Sequence, residues 1–193
     1  MIVFASVVIL GTIRSLAQGT VFVYDQQSST EANLFAEGNV TIQVNQPFGQ
    51  SFTPSLNAVG FIRLDLFSYS GNGGASMDVV LHANSISGTV IGTSQTVFLP
   101  DNGGGFVNFY FDAPVSVAPG TTYYFQPVVQ SGGNYVAANQ GPNYNYAGGG
   151  EISQGVLSSQ YDLWFREGII VPEPSTWALL LIGAGAFVWF RRR

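Results

Sequence analysis

Neither cysteine nor lysine occurs in the 193 residues, and charged side chains of all kinds make up only 9%. Without cysteine there is no disulfide, no thiolate nucleophile and no zinc site of the Cys type. That absence is compatible with an oxidising compartment without specifying one. Cations are scarce as well: of six basic residues, three form the terminal run Arg191-Arg192-Arg193. Between Gln18 and Val171, ten Asp and Glu residues stand against Arg63 and Arg166 alone, a net −8. Such a surface repels phosphate backbones and has almost no cations to displace counterions, so nucleic acid is excluded as a partner. Histidine occurs once, as His82.

Helical patterns of useful length are also missing before Trp177. What is present instead, 24 Gly and 15 Phe, suits many short strands joined by tight turns. Period-two alternation runs from Thr20 to Phe165. It gives candidate strands at 21–24, 40–44, 48–52, 59–69, 77–83, 96–99, 106–111, 122–129 and 163–166. In the fourth, Ile62, Leu64 and Leu66 share a face opposite Arg63 and Asp65, so the aliphatic face is expected to point inward. Residues 106–111 are apolar on both sides, which predicts a covering loop or partner. Ser70-Gly71-Asn72-Gly73-Gly74, Asp101-Asn102-Gly103-Gly104-Gly105 and Ala118-Pro119-Gly120 supply the turns. Roughly 150 residues between the termini suit one domain. The expected fold class is all-β, a two-sheet jelly-roll-like sandwich, with a barrel as the alternative.

Both termini are apolar. Ile2 to Ile13 carries almost no polar residue, and Ser15-Leu16-Ala17 puts small residues at the −3 and −1 positions of a cut between Ala17 and Gln18. Residues 1–17 therefore read as a secretory signal peptide, leaving 18–170 as the extracytoplasmic domain. Arg14 follows the apolar run rather than preceding it, which predicts a translation start further upstream. A buried N-terminal strand or helix is the alternative. At the other end, Trp177 to Phe190 is uninterrupted by charge and is followed by Arg191, Arg192 and Arg193. As a helix it would extend about 21 Å, short of the ~30 Å hydrocarbon core unless its flanks help. Arginines beside a span stay on the cytoplasmic side, so the preceding domain is expected to face away from the cytoplasm.

Val171-Pro172-Glu173-Pro174-Ser175-Thr176, the apolar Trp177-Ala178-Leu179-Leu180-Leu181-Ile182-Gly183 and the three final arginines resemble, in order and spacing, the PEP-CTERM sorting signal. The resemblance covers residues 171–193. It implies recognition by an exosortase, a transpeptidase-like enzyme of the inner membrane, with processing near Pro172, Glu173 and Pro174. It further implies a Gram-negative bacterium that makes exopolysaccharide or biofilm matrix. The physical logic is plain: two prolines fix their own φ and push Val171 and Glu173 toward extended backbone. That is a form a protease cleft can bind. A permanent, uncut anchor is the alternative.

A second resemblance lies inside the domain. Gln50-Ser51-Phe52-Thr53, Thr89-Val90-Ile91-Gly92, Phe109-Tyr110-Phe111-Asp112-Ala113-Pro114-Val115, Pro119-Gly120-Thr121-Thr122-Tyr123-Tyr124-Phe125 and Asp162-Leu163-Trp164-Phe165 look like the choice-of-anchor β-sandwich domains of bacterial surface proteins. It implies a fold and no ligand.

Chemistry-bearing residues are few. His82 and Asp78 lie four apart on one strand, the spacing for a shared face, and a solvent-facing strand histidine is the expected reading. Carboxylates for glycoside hydrolysis would come from Asp65, Asp78, Asp101, Asp112, Glu151 or Asp162. Tyr135, Tyr144 and Tyr146, with Asn139, Asn143 and Asn145, sit in a Gly-rich segment and are candidate carbohydrate contacts, since a flat ring stacks on a pyranose while amides bond its hydroxyls. They serve equally as loop anchors. Asp101 and Asn102 lack the Asp-x-Asp-x-Asp-Gly pattern of a calcium loop. No cofactor or metal is expected. The reading is a non-enzymatic surface or matrix protein, structural or polysaccharide-binding, with a secreted polysaccharide hydrolase as the alternative.

Overall fold

The computed structural model describes residues 20–32, 38–158 and 160–172. The signal-peptide cut at Ala17 and Gln18, the motif residues Glu173 and Pro174, the apolar stretch 177–190 and Arg191 to Arg193 lie outside them. Residues Phe22–Ile170 form one compact unit. Among the described residues no helix is long and apolar enough to cross a membrane.

The chain is all-β with two antiparallel sheets, as the alternation predicts. The strands are β1 (Thr20–Gln27), β2 (Gly38–Thr41), β3 (Gly49–Phe52), β4 (Ala58–Ser68), β5 (Ala75–Ala83), β6 (Thr89–Thr93) and β7 (Val97–Leu99). They continue as β8 (Gly104–Ser116), β9 (Tyr123–Gly132), β10 (Val136–Gly141), β11 (Glu151–Ser153), β12 (Val156–Leu157), β13 (Asp162–Leu163) and β14 (Phe165–Pro172). One sheet has the order β1-β14-β4-β10-β13, with β8 also on β4 and β2 also on β10. The other runs β12-β11-β3-β9-β5-β6, with β7 on β5.

Alternation decides which face each strand buries. Ile62, Leu64 and Leu66 of β4 meet Met77, Val79 and Leu81 of β5 and Phe125 of β9 in one interior. Aromatic rings close the gap between the sheets: Phe125 lies 5.3 Å from Phe165, and Tyr146 stands edge-on to Phe165 at 5.1 Å. Each fully buried ring contributes about 1.5–3 kcal/mol, with a further ~1 kcal/mol from ring pairing.

The two-sided apolar character of β8 has a covering explanation. Phe22 of β1 packs on Phe61 at 5.0 Å and on Tyr110 at 6.4 Å. These rings meet across β14 at Gly168, where a Cβ would lie 2.0 Å from the Val23 carbonyl. Opposite Gly60, residues 111–114 bulge out of β8, since Phe61 pairs Tyr110 while Val59 pairs Val115.

Two expected strands are corrected. Residues 40–44 end as a strand at Thr41 and turn into a 3-10 helix at Gln43–Asn45. Residues 163–166 belong to two strands, because the chain steps at Trp164 from pairing with β10 to pairing with β4.

Candidate functional site

The hollow with the most chemistry opens at one end of the sandwich, where the segments after β10 and before β13 meet. It has a volume of about 410 Å³, and its lining includes Asn145, Tyr146, Ser158, Gln160, Tyr161 and Asp162. Asp162 supplies the floor. It is buried, and each of its oxygens takes one donor: Gln50 Nε2 on Oδ1 at 2.7 Å and the Tyr146 amide on Oδ2 at 2.9 Å. Gln50 comes from the other sheet, on β3, and its own Oε1 accepts the Leu163 amide at 3.0 Å.

Glu151 stands behind this floor. Its amide donates to the Tyr161 carbonyl at 3.0 Å, and β11 pairs it with Gln50. The Gln140 side-chain amide faces the same carboxyl, and with its nitrogen turned inward, the orientation that satisfies both groups, Nε2 reaches Glu151 Oε1 at 2.7 Å. Burial, and then the charge of Asp162, push the Glu151 carboxyl up to about 7. Burial raises Asp162 too, while the Tyr146 amide and Gln50 pull it down. The two carboxyls therefore share one desolvated corner.

The rim is better exposed. Tyr161 is 42% exposed and projects from a turn in which Ser158 Oγ accepts the amides of Gln160 and Tyr161 at 3.3 and 3.2 Å. The wall at Gly149 and Gly150 presses onto β3: a Cβ at Gly149 would lie 2.0 Å from the Ser51 carbonyl. Ser51 Oγ locks this contact, accepting the Gly150 amide at 2.9 Å.

The tyrosines expected at a carbohydrate surface are not arranged as one. Tyr144 is 0% exposed and Tyr146 is buried in the core cluster, so neither ring face is free to stack on a sugar. Tyr146 Oη donates to Gln26 Oε1 at 3.0 Å and accepts the Thr53 amide at 3.1 Å, pinning its loop to the sandwich. Burial, with the charges of Glu167, Asp25 and Asp162, pushes its hydroxyl up to about 12. Tyr135 is 57% exposed but precedes β10, whereas the hollow follows that strand's other end, about 20 Å away along the strand. Alternation around these residues was no guide, because loop aromatics fold inward or outward according to tertiary contacts. Asp162 and Glu151 stand among the candidate carboxylates of the sequence, whereas Tyr161 was missed, and only its place next to Asp162, just before β13, hinted at it.

His82 is corrected as well: it is 6% exposed, not solvent-facing. Its Nδ1 lies 3.1 Å from the Gly88 carbonyl and its Nε2 3.1 Å from Gln126 Oε1. Asp78 instead accepts Gln130 Nε2 at 3.0 Å on both oxygens, so no hydrogen bond joins the two. Asp101 accepts the Asn134 amide and the amides of Gly71 and Gly73, and these donors hold its carboxyl below the usual value. It works as a turn clasp. Asp65 and Asp112 are taken by Asn139 and Gln95. Among the described residues no group of three or more His, Asp or Glu is placed to hold a metal ion.

A different acid lies deepest. Glu167 of β14 is fully buried with no aligned hydrogen bond on either oxygen, and burial together with the neighbouring Asp25 pushes it up to about 9. Two further hollows are less equipped. One, about 460 Å³, lies between β6 and the β8 bulge, and its one acid, Asp112, is exposed. The other, about 410 Å³, is lined by Ile86, Tyr124, Ile152 and Leu157 and has no carboxyl group.

The family model for the PEP-CTERM protein-sorting motif matches residues 171–193. That match carries the sorting signal and no statement about the sandwich. No curated protein matches the chain.

Proposed function

We propose that this is an exported envelope protein, sorted by an exosortase through residues 171–193, whose β-sandwich holds a polysaccharide at the hollow beside Tyr161. The sorting motif is the observation that carries the export half of this reading. It supports delivery by way of the inner membrane to the cell envelope or surface, and residence on a Gram-negative exterior or in its matrix extends that reading. The binding half is supported by an exposed ring at the rim, a buried acceptor at the floor and neutral polar side chains between them. Sugar sites use this combination because the ring buries C–H faces while fixed acceptors orient hydroxyls.

The experiment is fractionation of the native host with and without its exosortase gene, followed by pull-down on the strain's own exopolysaccharide. Accumulation of an unprocessed, membrane-held form in the deletion strain, and retention of the processed form on the polysaccharide, are the expected results. Normal surface delivery in the deletion strain would overturn the sorting half.

A hydrolase is the second reading, and Glu151 beside Asp162 is the observation that favours it. A carboxyl near 7 is suited to proton donation at neutral pH. Turnover of a polysaccharide panel, abolished by Glu151→Gln, would establish it; an inert panel would leave a binding module.

A further inference from the structure

The charge layout around the hollow restricts which sugars fit it. Asp162 lines the floor and Glu151 lies buried behind it, while Ser158, Gln160, Asn145 and Tyr161 contribute only neutral groups. Among the described residues no cation is available to balance an anionic ligand. Lysine is absent from the chain, and both arginines between Gln18 and Val171 are committed elsewhere. Arg63 and Arg166 are register partners on β4 and β14 and both pair with Glu31, Arg63 Nε at 3.2 Å from Oε1. The Arg166 guanidinium also lies 3.2 Å over the Tyr24 ring, and that of Arg63 lies 5.4 Å from the Phe106 centroid. His82 is enclosed on β5 of the other sheet.

Resting on the carbohydrate reading of this site, we propose that the hollow takes uncharged pyranose units and rejects uronates and other acidic sugars. Asp162 Oδ1 and Oδ2 each keep a lone pair beyond the bonds from Gln50 and Tyr146, so the carboxylate accepts two sugar hydroxyls. The exposed Tyr161 ring packs against the sugar's C–H face. A second carboxylate within a few ångströms of Asp162, in a partly desolvated corner, weakens binding on the order of 100-fold.

The test is calorimetric titration of the full-length chain in detergent with hexasaccharides of one length: cellohexaose, mannohexaose and hexagalacturonate, each at low and high salt. At least one neutral hexasaccharide is expected to bind with an affinity that salt does not change, and hexagalacturonate at least 100-fold more weakly. Tyr161→Ala should weaken the neutral ligand about tenfold, and Tyr161→Phe should restore it, both with unchanged melting temperature. Hexagalacturonate binding as tightly as the neutral sugars, and weakening with salt, would overturn the charge selection while leaving the carbohydrate reading intact. Neutral binding untouched by Tyr161→Ala would overturn the site. Silence with every hexasaccharide would overturn the carbohydrate reading and this inference together.

Discussion

Gln50 and Asp162 join the two sheets: Gln50 on β3 donates through Nε2 to Asp162 Oδ1 on β13 at 2.7 Å, and both are buried. The same Gln50 accepts the Leu163 amide. Gln50→Ala leaves a carboxylate and a backbone amide short of partners in a desolvated place. The expected cost is about 2–3 kcal/mol, read as a lowered urea midpoint with unchanged slope. A loss below about 0.5 kcal/mol would mean that water replaces Gln50 freely there.

Stability should fall as pH rises. Glu167 is raised to about 9 and Glu151 to about 7, against a usual value of 4.5 for each. Folding keeps both neutral while the unfolded chain lets them ionise, so their support for the fold is complete below pH 4.5. It is then lost as the pH climbs through 7 toward 9. Asp162, also raised, acts in the same sense at lower pH. Asp25 acts oppositely: burial raises it, but the amides of Leu56 and Ser55 and the Ser55 hydroxyl outweigh that and hold it low, so its support fades on acidification. At pH 7 the Glu167 penalty is about 3 kcal/mol. Glu167→Gln, whose amide can donate to Asp25, should raise the melting temperature at pH 8 and flatten its decline. A wild-type melting temperature that rises between pH 5 and 8 would contradict this.

Glu31 should matter more than a surface acid usually does. It holds two arginines that sit opposite each other on neighbouring strands, so Glu31→Gln leaves like charges face to face. A destabilisation of about 1 kcal/mol is expected in low salt, shrinking in 1 M salt as screening removes the repulsion. Equal losses at both ionic strengths would point to packing instead.

Glycine at 149 is a steric requirement, since a Cβ there meets the Ser51 carbonyl at 2.0 Å, whereas at Gly38 the nearest atom is 3.8 Å away. Gly149→Ala should cost about 2 kcal/mol or more and disturb the hollow, while Gly38→Ala should stay within about 0.5 kcal/mol. Chemical denaturation of the two variants checks the contrast.

The strands legible in the sequence were those with alternating large apolar residues, such as β4 with Ile62, Leu64 and Leu66. β10 was not, because Val-Ala-Ala-Asn-Gln-Gly has neither alternation nor bulk. It is a strand because β4, β2 and β13 all pair with it, a tertiary cause that no local window contains. The short β11 and β12 escaped for want of length. Site residues fared similarly. The sorting motif was readable because its recognition depends on order along the chain. The hollow was not, because Gln50, Glu151 and Asp162 converge from β3, β11 and β13, and burial rather than residue type decides which tyrosines stay available.

The most direct test of the sorting account is the intact mass of the protein isolated from its native host. A mass short of the tail beyond the Pro172-Glu173-Pro174 box, together with any attached group, is the predicted result. A mass that still includes Trp177 through Arg193 would contradict it.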